Sequence, residues 1–470
     1  MLPFDRRTKI VATIGPASAD ESVVVRLIEA GMDGARLNFS HGDHASHVAS
    51  ARAIRRAQEA SGRPIALIAD LQGPKVRVSD LPADLALETG DEVVVAGQGQ
   101  ARAGDLPVAP DALAASLRSG HEILIDDGLV RLVVARVDEG RALCRVVSGG
   151  LVRAHKGVNV PGVPLPVPSL TAKDLADLDL ALELGVDFVA QSFVRSGEDV
   201  AALRARIEEA GSPAWVIAKI ELKEAVDALD EILDQADAVM IARGDLGVEV
   251  GPAGVPLIQK DIILRALDRG TPAITATQML ESMVHRPEPT RAEASDVANA
   301  ILDGTSAVML SAETAIGEYP VEAVETMVRI ARAVEPSLGY RHQLPGASES
   351  PTVGRAMSNA ACDLAEALGA SAILVPTFTG RTASAVARLR PRRPIVALTH
   401  VRTSLQHMAI EWGVTPLEIP ESTDVDDLWR RSIDAAREAG IVDKGDLVVL
   451  TAGTAVNIPG STNVIKVDSA

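Results

Sequence analysis

Residues 213–250, PAWVIAKIELKEAVDALDEILDQADAVMIARGDLGVEV, contain two apolar runs, and each run ends in charged side chains. The first run leads into Lys219 and Glu221, and the second leads into Arg243 and Asp245. Between them, apolar residues recur with the period of about 3.6 that is typical of a helix. Continuously apolar strands are usually buried on both faces of a parallel sheet. The stretch therefore predicts a strand, a helix and a second strand, with charged groups where the strands end.

The same pattern recurs up to residue 315, where eight strand candidates mostly alternate with helical segments. They are residues 9–14, 35–39, 65–69, 188–193, 215–220, 238–242, 273–277 and 307–310. Eight such units predict an α/β fold of the (β/α)8 TIM barrel type. Polar residues follow nearly all of them: Thr13, Arg36, Asn38, Ser40, Asp70, Gln191, Ser192, Lys219, Glu221, Arg243, Asp245, Thr277, Ser311 and Glu313. Each alone would suit a capped helix start, but together they predict a shared site on one rim.

The alternation is interrupted between residues 70 and 172. Segments 91–96, 122–125, 130–137 and 142–147 are expected to be strands, and an insertion of this length is a domain. The chain returns through a stiff, proline-rich segment, residues 160–168. We predict a barrel of residues 1–72 and 169–336, with a β-rich lid domain of residues 73–168 inserted beside its mouth. The lid is placed to close over the rim; the alternative is a rigid decoration.

A smaller, doubly wound α/β domain is predicted for residues 337–470, with strands at 372–375, 395–398, 447–450 and 464–467. The segment after its first strand carries hydroxyl groups, a glycine and an arginine: Thr377, Thr379, Gly380, Arg381 and Thr382. Such a segment at a helix N-terminus suits an anion. A glycine turn with a threonine cap is the alternative.

Composition narrows the class of protein. The formal net charge of −18 argues against partners such as nucleic acid or an anionic membrane surface. Two cysteines, Cys144 and Cys362, are too few for a disulfide framework or a zinc cage. The N-terminus lacks the apolar region of a signal peptide, so we expect a cytoplasmic protein.

The rim residues indicate a metal and an anionic substrate. Glu221 and Asp245 leave adjacent strands, and two carboxylates with water and substrate form a usual Mg²⁺ site. Lys219 and Arg36 add positive charge, which predicts a multiply anionic substrate. The alternative for Lys219 is a structural ion pair with one of the carboxylates.

Two further sets lie on the same rim. Asn38, Ser40 and Asp70 would suit a weakly held monovalent cation, although Asn and Ser after a strand are often turn formers. Thr277 with Ser311 and Glu313 could relay a proton. The chain has neither a Walker-type loop nor a dinucleotide fingerprint.

Six segments in chain order resemble those of the pyruvate kinase family: RLNFSHG (36–42), DLQGPKVR (70–77), HKGVNVPG (155–162), KIE (219–221), ARGDLGVE (242–249) and TATQMLESM (275–283). The resemblance covers essentially the whole chain. It implies a barrel, an inserted lid and a C-terminal regulatory domain, usually assembled as a homotetramer. It also implies transfer of the phosphoryl group of phosphoenolpyruvate to ADP, which gives pyruvate and ATP.

The resemblance further assigns roles to individual residues. It implies Mg²⁺ (or Mn²⁺) on Glu221 and Asp245, Lys219 facing the phosphoryl group and the developing enolate, and Arg36 clamping the phosphate. Thr277, with the backbone at Gly244 and Asp245, would hold the substrate carboxylate near the carbon that is protonated. The nucleotide set is His41, Arg77, Asp127 and Lys156. The effector set is Thr377, Thr379, Gly380, Arg381 and Thr382, for a sugar phosphate or a nucleotide.

Two positions depart from the family pattern. Members that need potassium carry Glu where this chain has Lys75, next to the monovalent-cation set of Asn38, Ser40, Asp70 and Leu71. A fixed ammonium there could replace the cation, so we predict activity without K⁺. The other departure is Leu222, which stands where Asn is common.

Two rival functions remain at this stage. A Mg²⁺-dependent barrel lyase or aldolase acting on pyruvate or phosphoenolpyruvate would share the metal site, but has no reason to carry the lid and Lys156. In such an enzyme Lys219 could form a Schiff base, which requires a lowered pKa. The non-enzyme rival is a metabolite sensor that uses residues 377–382, and the full set of rim residues argues against it.

Overall fold

The computed structural model describes residues 6–126, 128–163, 167–338, 352–453 and 462–470. The first part of the chain supplies β1 Lys9–Thr13, α1 Glu21–Ala30, β2 Gly34–Asn38, α2 His44–Ser61 and β3 Ala66–Asp70. The inserted part supplies β4 Arg77–Val78, β5 Leu85–Leu87, β6 Glu92–Gly97, β7 Leu106–Ala109, α3 Ala112–Ser116, β8 Glu122–Ile125, β9 Val130–Asp138, β10 Arg141–Ser148, β11 Gly150–Val152 and β12 Val158–Asn159.

The chain then returns to the barrel with α4 Ala172–Glu183, β13 Phe188–Gln191, α5 Gly197–Glu209, β14 Trp215–Ile220, α6 Lys223–Asp227, α7 Leu229–Gln235, β15 Ala238–Ala242, α8 Arg243–Val250, α9 Val255–Arg269, β16 Ala273–Ala276, α10 Arg291–Asp303, β17 Ala307–Leu310, α11 Ala312–Ala315 and α12 Pro320–Val334. Short 3₁₀ helices are formed by Glu281–Val284 and Glu335–Ser337. The last part supplies α13 Val353–Ala367, β18 Ala372–Pro376, α14 Arg381–Ala387, β19 Ile395–Thr399, α15 Arg402–Met408, β20 Val414–Glu418, α16 Val425–Glu438, β21 Leu447–Gly453 and β22 Thr462–Ser469.

Within the described residues, eight parallel strands close into a barrel in the order β1, β17, β16, β15, β14, β13, β3, β2. The predicted closed barrel is therefore confirmed. Its strands are largely apolar, with polar residues mainly near their ends, because alternate side chains enter two cores. Ile217 and Met240 point into the barrel, whereas Val216 and Val239 pack under the helices. The polar ends of all eight strands consequently meet on one rim.

The inserted segment forms its own antiparallel-rich sheet, in the order β12, β8, β9, β10, β6, β7, β4, with β5 and β11 paired separately. A separate apolar core, from Val76 to Val160, lies within it. The four predicted strands are present, and each of their ends is shifted by at most one residue. The alternation of apolar residues did not reveal five further strands: β4, β5, β7, β11 and β12. Those are two to four residues long, too short for alternation to be visible.

The C-terminal sheet has the order β20, β19, β18, β21, β22, and β22 runs antiparallel to β21. The pattern missed β20 because this edge strand contains Pro416 and is only half-buried. Proline is tolerated at the edge of a sheet, where no ladder partner needs its nitrogen.

One local prediction about the central stretch is wrong. The single helix expected between its two strands is broken at Ala228, which separates α6 from α7. After the second strand, residues 243–247 form the beginning of the helix α8. The proposed domain limits stay a prediction, and the returning segment includes residues 164–166, which lie outside the described ones. Among the helices that the structure describes, none has the length and apolar character needed to cross a membrane.

Candidate active site

Lys219 lies at the centre of the rim, at the end of β14. Its Nζ is 2.9 Å from Glu221 Oε1 and 3.1 Å from Asp70 Oδ1, and it donates to Ser192 Oγ at 2.6 Å. Burial lowers the pKa of the ammonium, but the two carboxylates outweigh burial, so the pKa of Lys219 is raised above its ordinary value. The side chain is therefore a permanent cation. The structural ion pair considered for Lys219 is present.

Arg36, at the end of β2, is the second cation of the rim. Its Nε donates to Asp70 Oδ2 at 2.6 Å, and its Nη1 donates to Thr13 Oγ1 at 3.0 Å. Asp70 is 1% exposed and bridges Arg36 to Lys219. Burial alone would raise the pKa of Asp70, but Lys219 and Arg36 hold it below its ordinary value. The predicted pair of cations is thus locked to one buried carboxylate.

Glu221 and Asp245 follow neighbouring strands, β14 and β15, as the sequence predicted. Glu221 is 1% exposed, and its Oε2 accepts the backbone N–H of Phe193 at 2.7 Å. Burial raises the pKa of Glu221, Lys219 opposes this rise, and the negative charge of Asp245 adds to it. Two carboxylates that repel each other are what a divalent cation would neutralise. Among the described residues, no group of three or more His, Cys, Asp or Glu side chains could hold a metal, so water and substrate would have to supply the other ligands.

The Thr277 turn follows β16 and faces the start of α8. Thr277 and Gln278 both have left-handed backbones, with φ of 67° and 52°. Thr277 Oγ1 accepts the backbone N–H of Gly244 at 2.8 Å. In the free protein, this contact already uses one of the backbone donors that were expected for a substrate carboxylate.

Ser311 and Glu313 do not form a chain of side-chain hydrogen bonds to Thr277. Glu313 is fully buried, and its two oxygens accept the backbone N–H groups of Leu280 and Ser311. The hydroxyl of Ser311 is buried and, among the described residues, has no hydrogen-bond partner. Glu313 therefore holds two loop backbones, and the unpartnered Ser311 hydroxyl is left with capacity to bind a water.

The predicted nucleotide residues form a positive region beside the rim. Burial lowers the pKa of His41, and the charges of Arg77, Lys75 and Arg36 lower it further, which means that these groups lie near one another. Arg77 Nη1 donates to the carbonyl of His155 at 3.0 Å.

Lys156, the fourth member of the nucleotide set, pairs with Asp126 at 2.9 Å. Asp127 lies outside the described residues.

The monovalent-cation set has little spare acceptor capacity. Asn38 Oδ1 accepts the backbone N–H of Ser40 at 3.1 Å, the geometry of a turn former. Both oxygens of Asp70 face Lys219 and Arg36, and the carbonyl of Leu71 accepts Ser192 Oγ at 2.7 Å.

The effector set lines a cavity of about 350 Å³ in the C-terminal domain. Thr377, Thr379, Arg381 and Thr382 all reach it. Gly380 adopts φ of 86°, and an added Cβ would lie 3.0 Å from Met408 Cγ, so glycine is needed for this turn. Thr377 Oγ1 accepts the N–H of Gly380 at 3.0 Å. The segment is thus both a glycine turn and one wall of a cavity.

Two residues of the site had not been given a role from sequence. Ser192 lies between Lys219, Asp70 and the carbonyl of Leu71, and Arg243 contacts the carbonyls of Thr277 and Gln278. Both were noted only as polar residues at strand ends. Their contacts are with residues far away in the chain, so spacing carries no signal for them.

A barrel rim that gathers two buried cations and three carboxylates, beside a positive region next to an inserted domain, is suited to a phosphotransferase. A family model described as pyruvate kinase, barrel domain, matches residues 5–324, and one described as pyruvate kinase, alpha/beta domain, matches residues 355–468. The chain belongs to the pyruvate kinase family.

Named relatives resemble the chain over its length. A pyruvate kinase of Clostridium acetobutylicum is 42% identical over 98% of this chain and 99% of its own. One of Geobacillus stearothermophilus is 45% identical over 98% of this chain and 80% of its own. A crystal structure of a pyruvate kinase from Cryptosporidium parvum superposes with a TM-score of 0.94 at 32% identity, and the match covers 99% of this chain and 97% of that one.

Proposed function

We propose that this enzyme transfers the phosphoryl group of phosphoenolpyruvate to ADP with Mg²⁺, without requiring K⁺. The observation that carries the proposal is the triad of Lys219, Asp70 and Arg36, a fixed pair of cations on one buried carboxylate. Phosphoryl transfer depends mainly on positioning and on neutralising charge spread over the phosphoryl oxygens. Such a pair suits a substrate that carries a phosphate and a carboxylate.

Lys219 and Arg36 take the main electrostatic roles. Lys219 faces the transferring phosphoryl group and then the enolate oxygen that is left behind, and Arg36 binds the phosphate. The ion pair with Asp70 and Glu221 raises the pKa of Lys219 and favours its ammonium form. The Schiff-base alternative instead needs a neutral amine.

Glu221 and Asp245 are the residues that would hold Mg²⁺ (or Mn²⁺). When bound, the metal would supply positive charge that neutralises the anionic substrate. In that state Lys219 would give up its contact with Glu221 Oε1, so binding of metal and substrate would reorganise the ion pair seen in the free protein.

Thr277 orients the substrate and lies near the carbon that is protonated. Its Oγ1 accepts from Gly244, so its hydroxyl hydrogen points elsewhere and can be donated to a carboxylate oxygen of the substrate. Protonation of the enolate then comes from Thr277 or from a water on the Ser311 hydroxyl. Glu313 serves to position the loops.

The nucleotide would bind on the positive region of His41, Arg77 and Lys156, with Asp127 as the fourth residue of that set. The lid carries Arg77 and Lys156, so closure would bring these groups to the diphosphate. Lys156 would leave Asp126 when ADP binds, because the ADP phosphates would compete with Asp126 for the same ammonium.

Lys75 is proposed to replace the monovalent cation. Two observations support this proposal. The charge of Lys75 lowers the pKa of His41, the residue after Ser40. Both oxygens of Asp70 are already paired with cations. A fixed ammonium in this region supplies the positive charge that K⁺ would bring.

We further propose a cytoplasmic homotetramer that is regulated by a sugar phosphate or a nucleotide bound at Thr377, Thr379, Gly380, Arg381 and Thr382. The exposed side chains of Leu257 and Ile316, 73% and 64% accessible, are apolar groups that a subunit contact would cover.

The test is pyruvate formation from phosphoenolpyruvate and ADP with Mg²⁺, coupled to lactate dehydrogenase, in matched potassium and tetramethylammonium buffers. Equal rates are expected. Activity with potassium alone would keep the reaction and reject the role of Lys75. Absence of pyruvate in both buffers, with the metal bound, would reject the reaction.

A further inference from the structure

A second cavity, of about 610 Å³, lies at the opposite end of the barrel from the rim. Its barrel wall is formed by the segments that lead into β15 and β16, including Asp237 and Pro272. Its other wall is formed by α14 of the C-terminal domain, including Ser384 and Arg388. The cavity therefore lies between the barrel and the C-terminal domain, and it is separate from the rim chemistry.

The cavity is rich in arginine, although the chain as a whole has a net charge of −18. Three of its arginines are neutralised by carboxylates at 2.8 Å: Arg204 by Asp237, Arg269 by Asp230, and Arg355 by Asp268. The two that remain are Arg381, at the start of α14, and Arg388, directly after its end, and neither forms a salt bridge among the residues that the structure describes. The unpaired guanidinium groups of the cavity thus lie at the two ends of one short helix.

Arg388 is the more informative of the two. It is only 6% exposed, and within the described part of the chain its side chain forms one hydrogen bond, from Nη2 to Asn359 Oδ1 at 3.1 Å. Its Nε is buried and has no hydrogen-bond partner among the described residues. Burying a guanidinium donor without a partner is costly, and such a group in a native protein calls for an acceptor.

The surroundings of Arg388 favour an anion as that acceptor. Burial lowers the pKa of Arg388, and the nearby positive charge of Arg355 lowers it further; Asp268 and Cys362 oppose this change without cancelling it. An anion between Arg388 and Arg355 would add a second negative charge and favour the charged form of Arg388. A phosphate group fits best, because guanidinium groups bind its oxygens in pairs and one dianion can neutralise two of them.

We propose that this cavity is a second anion site, which binds the phosphate group of a small phosphorylated metabolite through Arg388 and Arg381. It is distinct from the effector cavity described above, although Arg381 and Arg355 line both. The two cavities lie on either side of the beginning of α14. A ligand in one therefore changes the groups that are available in the other.

The same site would connect the two domains. An added Cβ on Gly270 of the barrel would lie 3.7 Å from Cδ of Arg388, so the stem of this arginine packs directly on the loop before β16. Arg355 reaches the barrel in the same place through Asp268. An anion bound by Arg388 and Arg381 would therefore lie against this junction with the barrel.

The test uses the full-length protein with two probes. Tungstate, a phosphate analogue, is soaked into crystals and located by its anomalous signal, and inorganic phosphate is titrated calorimetrically in solution. The variants are Arg388→Gln, Arg388→Lys and, as a control in the effector cavity, Thr377→Val. Unfolding without phosphate checks that each variant is folded.

We expect a tungstate peak between Arg381 and Arg388 in the wild type and in Thr377→Val, and its loss in Arg388→Gln. Phosphate affinity at this site should fall at least about tenfold in Arg388→Gln, with partial recovery in Arg388→Lys. A missing peak, or phosphate binding unchanged by Arg388→Gln, would overturn the proposal. A peak without binding in solution would mean an adventitious ion only. None of these readouts depends on turnover, so they are independent of the proposed reaction.

Discussion

The guanidinium of Arg243 holds the backbone of Thr277 in a left-handed conformation. Nη2 and Nε of Arg243 donate to the Thr277 carbonyl at 3.0 and 3.3 Å, and the arginine is anchored by Asp296 at 2.7 Å. Left-handed backbone is unfavourable for a β-branched residue, by roughly 1–3 kcal/mol. The ion pair on α10 therefore stabilises the turn that presents the Thr277 hydroxyl.

Replacing Arg243 should affect kcat more than the KM for phosphoenolpyruvate. Arg243→Ala removes the donors to Thr277 and Gln278, and misplacement of a substrate-orienting group by about 1 Å can cost about 100-fold in rate. Arg243→Lys keeps the charge but loses the several N–H donors of the guanidinium group, so it should recover little of the lost kcat. Arg265→Ala, which breaks surface ion pairs on α9, is the matched control. Unchanged kcat in Arg243→Ala, measured by the coupled assay, would contradict this role.

Removing the charge of Glu221 should separate metal binding from folding. In Glu221→Gln we expect Mn²⁺ binding, followed by electron paramagnetic resonance, to weaken at least about tenfold, because one of two carboxylate ligands is lost. The amide oxygen can still accept the Phe193 N–H, but the ion pair with Lys219 is lost, so the midpoint of thermal unfolding should fall while the variant stays folded at the assay temperature. Glu224→Gln, on α6, serves as the control. Retained Mn²⁺ affinity would remove Glu221 from the metal site.

Reversing the charge of Lys75 should create a requirement for potassium. Lys75→Glu replaces the fixed ammonium by a carboxylate, which recruits a monovalent cation. The rate in tetramethylammonium buffer should fall by about tenfold or more and recover when K⁺ is added. The control, Lys444→Glu, makes the same charge change on an exposed part of the C-terminal domain. If Lys75→Glu is equally active in both buffers, Lys75 does not occupy the cation's place.

Glu411 should make the protein less stable as the pH rises. Burial raises the pKa of Glu411 to about 7, although Ser384 donates to it and Arg390 lies near. The folded-state pKa lies above the ordinary value of 4.5, so the unfolded chain ionises first. The contribution to stability is complete below pH 4.5 and is lost as the pH rises through about 7.

Glu411→Gln should therefore lose less stability than the wild type between pH 5 and pH 8, measured by urea unfolding. Glu418→Gln, at an exposed position, should follow the wild type. Parallel pH profiles for wild type and Glu411→Gln would show that Glu411 does not titrate in this range.

The barrel was predictable because its strands are short apolar runs with polar ends, and this pattern is visible in a single sequence. The edge strand β20, with Pro416, and the very short lid strands carry no such pattern. The break at Ala228 was missed because the apolar period runs through it unchanged. At the site, sequence indicated Lys219, Glu221 and Asp70, but not that they would be joined in one network with Ser192. Those contacts depend on where distant strand ends meet.

The lid residues are inserted between two parts of the barrel sequence, and this affects the order of folding. The lid core is contiguous in the chain, from Val76 to Val160, whereas the barrel closes only when β17 pairs with β1, with Ala307 beside Lys9. During synthesis, the lid can be complete while the barrel still exposes an unpaired β3 edge, because β13 comes only afterwards. Long-range parallel pairing is slow. The nascent half-barrel is thus the species most in need of chaperones, and substitutions at β3 should reduce the yield of folded protein more than they reduce its final stability.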